Sequence, residues 1–401
     1  MKKTEGGICA AKGYTAAGLH CGIKKYKKDL ALIVSDKRAS CACVYTKNLV
    51  KGAPIAVTKR NVSDGYAQAV ICNSGNANTC NADGEKVAYG MCELVEKYAG
   101  IQKSDVIVAS TGVIGKPLDI TPIENSMSDL VSSLGNNSSD CVEAIMTTDT
   151  FKKEAALEFE VGGVVCRMGG IAKGSGMIHP NMATMLVFIT TDAAIAPEML
   201  QKALSEVVTD TYNMISVDGD TSTNDMVSVL ANGEAGNEII TAENEAYSEF
   251  KSSLNELCAY LCRMIASDGE GATKLLECKV LNSKEKNIAR ICAKAVICSS
   301  LVKAAMFGSD ANWGRVLCAL GYSGAEIDVN RVDVTFISAS GAVKVCKDGA
   351  GVSFSEEEAK KVLSEKEIII NIDLKTGEAE ATAWGCDLTY DYVKINGDYR
   401  T

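Results

Sequence analysis

MIHPNMATMLVFITTDA, Met177–Ala193, is the stretch on which the reading of this chain turns. Pro180 and Asn181 mark a turn, because proline presets φ and asparagine bonds its own backbone. The residues after Thr184 form an apolar run with β-formers, which reads as a strand. Thr184 stands at the joint, behind the small Ala183. A β-branched residue opening a strand is ordinary, but a strand end is also where a nucleophile is exposed. A threonine hydroxyl needs an adjacent base. The chain holds two histidines, His20 and His179, and His179 beside Pro180 reads as a structural turn residue. The α-amino group of the threonine itself is another base, titrating near ~7.7–8.0. It exists only once the Ala183–Thr184 bond is cut. The hydroxyl can make that cut by attacking the preceding carbonyl, and the ester formed is then hydrolysed.

Outward from this joint, strand-like and helix-like runs alternate. YAQAVICNSG (66–75) reads as a strand feeding a glycine/asparagine loop. A helix follows, with Val87, Met91, Leu94, Val95 and Tyr98 on one face and Gly100 at its end. DVIVAS (105–110) is a short buried strand. EFEVGGVVCRMGGIAKGSGM (158–177) is two extended pieces joined by glycines. Pro197 opens a helix that turns Leu200, Ala203, Leu204 and Val207 inward. The clearest helix is predicted at 243–265, where Tyr247, Phe250, Leu254, Leu257, Leu261 and Met264 make one stripe. A second helix is expected around 284–306. The C-terminal part reads as strands with one helix at SEEEAKKVL (355–363). The architecture expected is α/β, as α+β mixed sheets with helices.

The 401 residues suffice for two domains or one large α/β domain. Hydrophobic residues make up 47% and aromatics only 5%, so the core is mostly aliphatic. A net charge of −10, with KKYKK (24–28) read as a solvated surface, argues against nucleic acid as partner. No apolar run is long enough to span a membrane, and the N-terminus carries no signal or transit pattern. A cytoplasmic protein is expected. The seventeen cysteines include no C-x2-C pair, so they read as small buried hydrophobes in a reducing cell rather than zinc ligands or disulfides.

The glycine-rich loops match no nucleotide signature. G-x-x-x-x-G-K-[ST] does not occur, and GSGMIH departs from the dinucleotide pattern at His179. Asp218, Asp220 and Asp225 crowd one loop, but without the EF-hand register. No metal and no cofactor are expected.

KGSGMIHPNMATML (173–186) resembles the signature of the glutamate N-acetyltransferase/ornithine acetyltransferase family of arginine biosynthesis. So do, in order, NSGNANTC (73–80), STGVIG (110–115), IMTTDT (145–150), SVDGDTSTND (216–225), SDGEGATK (267–274), FGSDANWGR (307–315) and the tail INGDYRT (395–401). The resemblance covers nearly the whole chain. Its one small departure is Cys80, where alanine is more usual.

The resemblance implies a self-cleaving N-terminal-nucleophile enzyme of the ornithine acetyltransferase/DmpA-like type. The precursor is cut between Ala183 and Thr184 into an α chain, 1–183, and a β chain, 184–401, which assemble as α2β2. It implies Thr184 as nucleophile, carrying acetyl from N-acetylornithine to glutamate through an acetyl-enzyme. Acetyl-CoA serves as a further donor in some members. It implies Thr111 and Gly112 as the oxyanion hole. Thr147 (or its neighbour Thr148), Lys173, Thr184, Glu270, Asn396 and Thr401 are implied as substrate contacts. The chemistry is coherent: a lysine suits the α-carboxylate of an amino acid, and a glutamate suits the side-chain ammonium of ornithine. The aspartate-rich loop is read as support for the Thr184 site. Two alternatives stand beside this reading. One is a related aminopeptidase or amidohydrolase that passes the acyl group to water; the other is an uncut small-molecule-binding protein.

Overall fold

The computed structural model describes residues 2–179 and 185–398. Ala183, Thr184 and Thr401 therefore lie outside the described residues. The chain divides into two compact units. The first comprises Met1–Gly174, Asn181–Thr209 and Thr221–Leu261; the second comprises Ser175–Pro180, Asp210–Asp220 and Cys262–Thr401.

The first unit is built on a nine-stranded mixed sheet among the described residues. Its order runs Lys2–Thr4, Lys153–Val161, Val164–Lys173, Leu186–Thr191, Met226–Ala231, Leu30–Tyr45, Tyr66–Asn76 and Val106–Val113, with Tyr14–Leu19 also paired to Leu30–Tyr45. Two neighbouring pairs are parallel: Leu186–Thr191 with Met226–Ala231, and Tyr66–Asn76 with Val106–Val113. Both faces are covered. Ala31, Ile33, Val70, Cys72, Ile107 and Ala109 join the core beneath the helix Ser138–Ile145. Their sequence neighbours Leu30, Leu32, Ala69, Ile71, Val106 and Val108 join a second core with the helices Gly84–Ala99 and Thr121–Ser132. Alternation along a strand sends successive side chains to opposite faces. That is why these strands read as continuous apolar runs.

The second unit carries a seven-stranded sheet: Ala350–Gly351, Gly341–Lys347, Asp333–Ser338, Glu367–Asp373, Leu275–Ser283, Ala379–Cys386 and Ile215–Ser216. The expected α/β architecture with mixed sheets is what the structure has.

Three local expectations need correction. The single helix around 284–306 is two, Lys286–Cys298 and Ser300–Phe307. Ser299 breaks it, its hydroxyl accepting from Val302 N at 3.3 Å as the cap of the second helix. The segment read as a last strand continues past Cys386 into a helix, Tyr390–Gly397. Docking overrides the β-rich composition there. Thr389 Oγ1 donates to Gly271 O at 2.6 Å, and a Cβ on Gly271 would lie 2.7 Å from Tyr392 N. In the long helix Glu245–Ser267, Met264 is half-buried while Cys262, Ile265 and Ala266 are buried, so the stripe shifts by one position at its end. Twelve of the seventeen cysteines are buried, which fits their reading as small hydrophobes.

Candidate active site

In the first unit, the parallel strands Tyr66–Asn76 and Val106–Val113 bring Gly75 opposite Gly112. Gly112 has φ 131°, and a Cβ there would lie 2.6 Å from Asn76 N. Only glycine fits this crossing. The strand end that carries Thr111 and Gly112, where the pairing register shifts, is braced by polar side chains. Asn224 donates to Ala77 O at 2.6 Å and to Ser110 O at 2.9 Å, and accepts from Thr79 Oγ1 at 2.6 Å. Ser110 Oγ donates to Asn73 Oδ1 at 2.6 Å. These groups are buried, so each bond also removes the cost of an unmet polar atom.

Lys173 ends its strand opposite Leu186, the second residue after Thr184. Met185 is fixed as well, its carbonyl accepting from Met226 N at 3.0 Å. The buried Lys173 ammonium donates to Thr111 Oγ1 at 3.4 Å. One lysine thus ties the strand end at Thr111–Gly112 to the start of the strand that follows Thr184.

Asp149 organises the rest of this corner. It accepts from Gly174 N at 2.7 Å, Thr147 N at 2.9 Å and Lys153 Nζ at 2.7 Å. The Asp149 and Lys153 side chains are fully buried. Burial alone would raise the Asp149 pKa. The ammoniums of Lys153 and Lys173 and the bonds from Lys153 and Gly174 outweigh it and hold the carboxyl well below the usual range. A group depressed in this way stabilises the fold above its unfolded pKa of about 3.9, and that stabilisation is lost as pH falls toward the folded value. Replacing Lys153 by Met strands a buried carboxylate, and urea unfolding near neutral pH is expected to show a loss of about 3–5 kcal/mol.

Lys24 corrects the reading of KKYKK as a solvated surface. Lys25, Tyr26 and Lys27 are exposed, but Lys24 is half-buried. Its Nζ donates to Lys28 O at 2.8 Å and to Met146 O at 2.6 Å, beside Thr147. Its stem lies against Gly75, where a Cβ would meet Lys24 Cγ at 3.0 Å.

The second unit holds the other described site residues. Glu270 is buried and accepts from Asn396 Nδ2, on the C-terminal helix, at 2.8 Å. Gly176 makes room for it, since a Cβ there would lie 2.5 Å from Glu270 Oε1. Asp218 clamps the segment Met177–Ile178. It accepts from Met177 N at 2.6 Å, Ile178 N at 2.9 Å and Tyr392 Oη at 3.3 Å, while Val217 N donates to Ile178 O at 2.7 Å. His179 pairs with Ser216 Oγ at 3.1 Å and lies 3.5 Å from Cys298 Sγ. Burial, with repulsion from Lys294, lowers its pKa to about 4, so the ring is neutral at physiological pH. It is a packed, hydrogen-bonded residue, in keeping with its reading as structural.

Thr111, Gly112, Thr147 and Lys173 thus share one corner of the first unit, and Glu270 and Asn396 are joined in the second. Asp149, Lys153 and Asn224 were not singled out from sequence. Asp149 and Lys153 carried one signal, opposite charges four residues apart. Asn224 lies within SVDGDTSTND and carried none.

The sequence model of the ArgJ family matches residues 15–401. The chain belongs to the ArgJ family. It is 50% identical over 403 residues to the arginine biosynthesis bifunctional protein ArgJ of Caldanaerobacter subterraneus subsp. tengcongensis, covering 100% of both chains. It is 50% identical over 394 residues to the corresponding ArgJ 1 protein of Clostridium acetobutylicum, covering 97% of this chain and 96% of that one. The crystal structure of ArgJ from Bacillus halodurans is similar at 46% identity with a TM-score of 0.51, covering 53% of this chain and 99% of the solved chain. Among the described residues, no helix is long and apolar enough to cross a membrane.

Proposed function

We propose that this ArgJ-family chain is an acyltransferase of arginine biosynthesis that moves acetyl from N-acetylornithine to glutamate. In this reading the chain cuts itself between Ala183 and Thr184. The freed amine of Thr184 then takes the proton of the Thr184 hydroxyl as it attacks the acetyl carbonyl. Thr111 and the Gly112 N–H receive the developing oxyanion; such donors contribute about 2.7–4 kcal/mol each. The amide C–N bond breaks and ornithine leaves with the proton. The α-amine of glutamate attacks acetyl-Thr184, and N-acetylglutamate departs.

Lys173, with Thr147 beside it, takes the substrate carboxylate. Glu270, held by Asn396, takes the ornithine ammonium, and Thr401 adds a further contact. Acetyl-CoA is a second donor, in keeping with the word bifunctional in the names of the relatives. The cut halves work in the cytoplasm as α2β2.

One observation carries the reading. Lys173 stands opposite Leu186, just beyond Thr184, and contacts Thr111, next to Gly112 at the strand end. The cut is also in keeping with the Bacillus halodurans chain, which 53% of this chain covers almost completely; that is about the share that 184–401 makes up.

Incubation with N-acetylornithine and glutamate tests it. Ornithine and N-acetylglutamate are expected in equal amounts, with acetyl-CoA able to replace the acetylated donor. Free acetate as the main product in the presence of glutamate would instead identify a hydrolase.

A further inference from the structure

The first unit carries more positive charge around Thr147 than Lys173 alone supplies. Asp149 is already engaged by Lys153 and by the N–H groups of Thr147 and Gly174. Asp29, fully buried, is engaged by the N–H groups of Cys21 at 2.6 Å, Gly22 at 3.2 Å and Lys24 at 2.7 Å, and by His20 at 3.3 Å. The Lys24 ammonium meets two carbonyl oxygens, those of Lys28 and Met146. One of its three protons is left over, and among the described residues its charge has no anion in contact.

Its position is fixed by the site. The stem crosses Gly75, the partner of Gly112, and the head holds the carbonyl just before Thr147. Lys24 is close enough to Lys173 for the two charges to repel. An ammonium with a proton to spare, in the same corner of the first unit as Lys173, suits a carboxylate.

We propose that Lys24 is a second substrate-binding cation, which together with Lys173 holds the carboxylate of each amino-acid substrate in turn. The proposal rests on the acetyltransferase reading, and extends it to a residue that the family resemblance did not supply. Lys24 sets where the carboxylate sits relative to the Thr111–Gly112 strand end, and so acts on substrate binding more than on the acyl-transfer step.

Burial lowers the Lys24 pKa to about 8. Asp29 opposes the shift, as does Cys72 on the neighbouring strand, while Lys173 and Lys27 add to it. A lowered lysine is charged below that value and loses its charge as pH rises through it. Carboxylate binding should therefore weaken above about pH 8.

The test is steady-state kinetics on the mature enzyme with N-acetylornithine and glutamate. Lys24→Met is expected to raise both KM values at least about tenfold while kcat changes less than about threefold. The electrophoretic pattern of the cut chains should stay as in wild type. Lys24→Arg, which keeps a charge at all accessible pH, should restore KM and abolish the rise of KM above about pH 8. Unchanged KM in Lys24→Met, a fall confined to kcat, or an alkaline rise that persists in Lys24→Arg overturns the proposal. If Lys24→Met does not fold, the comparison of wild type with Lys24→Arg decides alone. Absence of transfer by wild type would instead sink the acetyltransferase reading, which separates the two failures.

Discussion

Thr184→Ala yields one uncut polypeptide of 401 residues on a denaturing gel, and no acetyl transfer. The proposed cut predicts two bands for wild type, Met1–Ala183 and Thr184–Thr401. The substitution removes two functions at once. Without the hydroxyl the preceding carbonyl is not attacked, so no new amine is made; without that amine and oxygen no acetyl-enzyme forms. Loss of a covalent nucleophile costs on the order of 10⁴–10⁶ in turnover. Thr184→Ser retains an oxygen nucleophile and should still cut and still transfer, at reduced rates. Mass spectrometry of the purified variants and the N-acetylornithine assay give the answer. Transfer surviving in Thr184→Ala would remove the nucleophile from the mechanism.

Gly112→Ala is expected to lower kcat by about 10²–10³-fold, the range seen when one oxyanion donor is lost. The reason is geometric. At φ 131° an L-residue is strained, and the new methyl would meet the backbone of Gly75 and Asn76. The strand crossing must open, which moves the Gly112 N–H away from any oxygen it stabilises. Because Asn224 and Ser110 still brace the strand end, the fold should survive with a modest drop in thermal midpoint. A variant with wild-type kcat would show that this N–H does no work in the transition state.

How much of this was legible depended on the range of the interaction. Strands such as Leu186–Thr191 and Val164–Lys173 are written in local patterning, and so are the buried faces of the helices Gly84–Ala99 and Pro197–Asp210. Ser299 splits a helix through one hydroxyl, a local feature that an alanine- and cysteine-rich background hid. The helix Tyr390–Gly397 was not legible, because Gly271, more than a hundred residues earlier, decides it. The same holds for the site. Thr111, Gly112, Lys173 and Glu270 stood out through the ordered motifs. Lys24 did not: it sits in a lysine-rich run in which Lys25, Tyr26 and Lys27 face solvent, and its burial comes from Gly75 and Met146. Asn224 bonds to Ala77 and Ser110 across long sequence separations, a pairing that no spacing rule announces.

The strand order of the large sheet bears on what the cut leaves behind. Leu186–Thr191 and Met226–Ala231 belong to the later half of the chain, yet they lie side by side in the interior of the sheet, flanked by Val164–Lys173 and Leu30–Tyr45 from the earlier half. With the proposed cut, the two polypeptides would stay interleaved, and neither could be drawn out without tearing ladders along both of its margins. Once melted, the cut form would have to reassemble through a second-order encounter of two chains, whereas an uncut precursor folds as one thread.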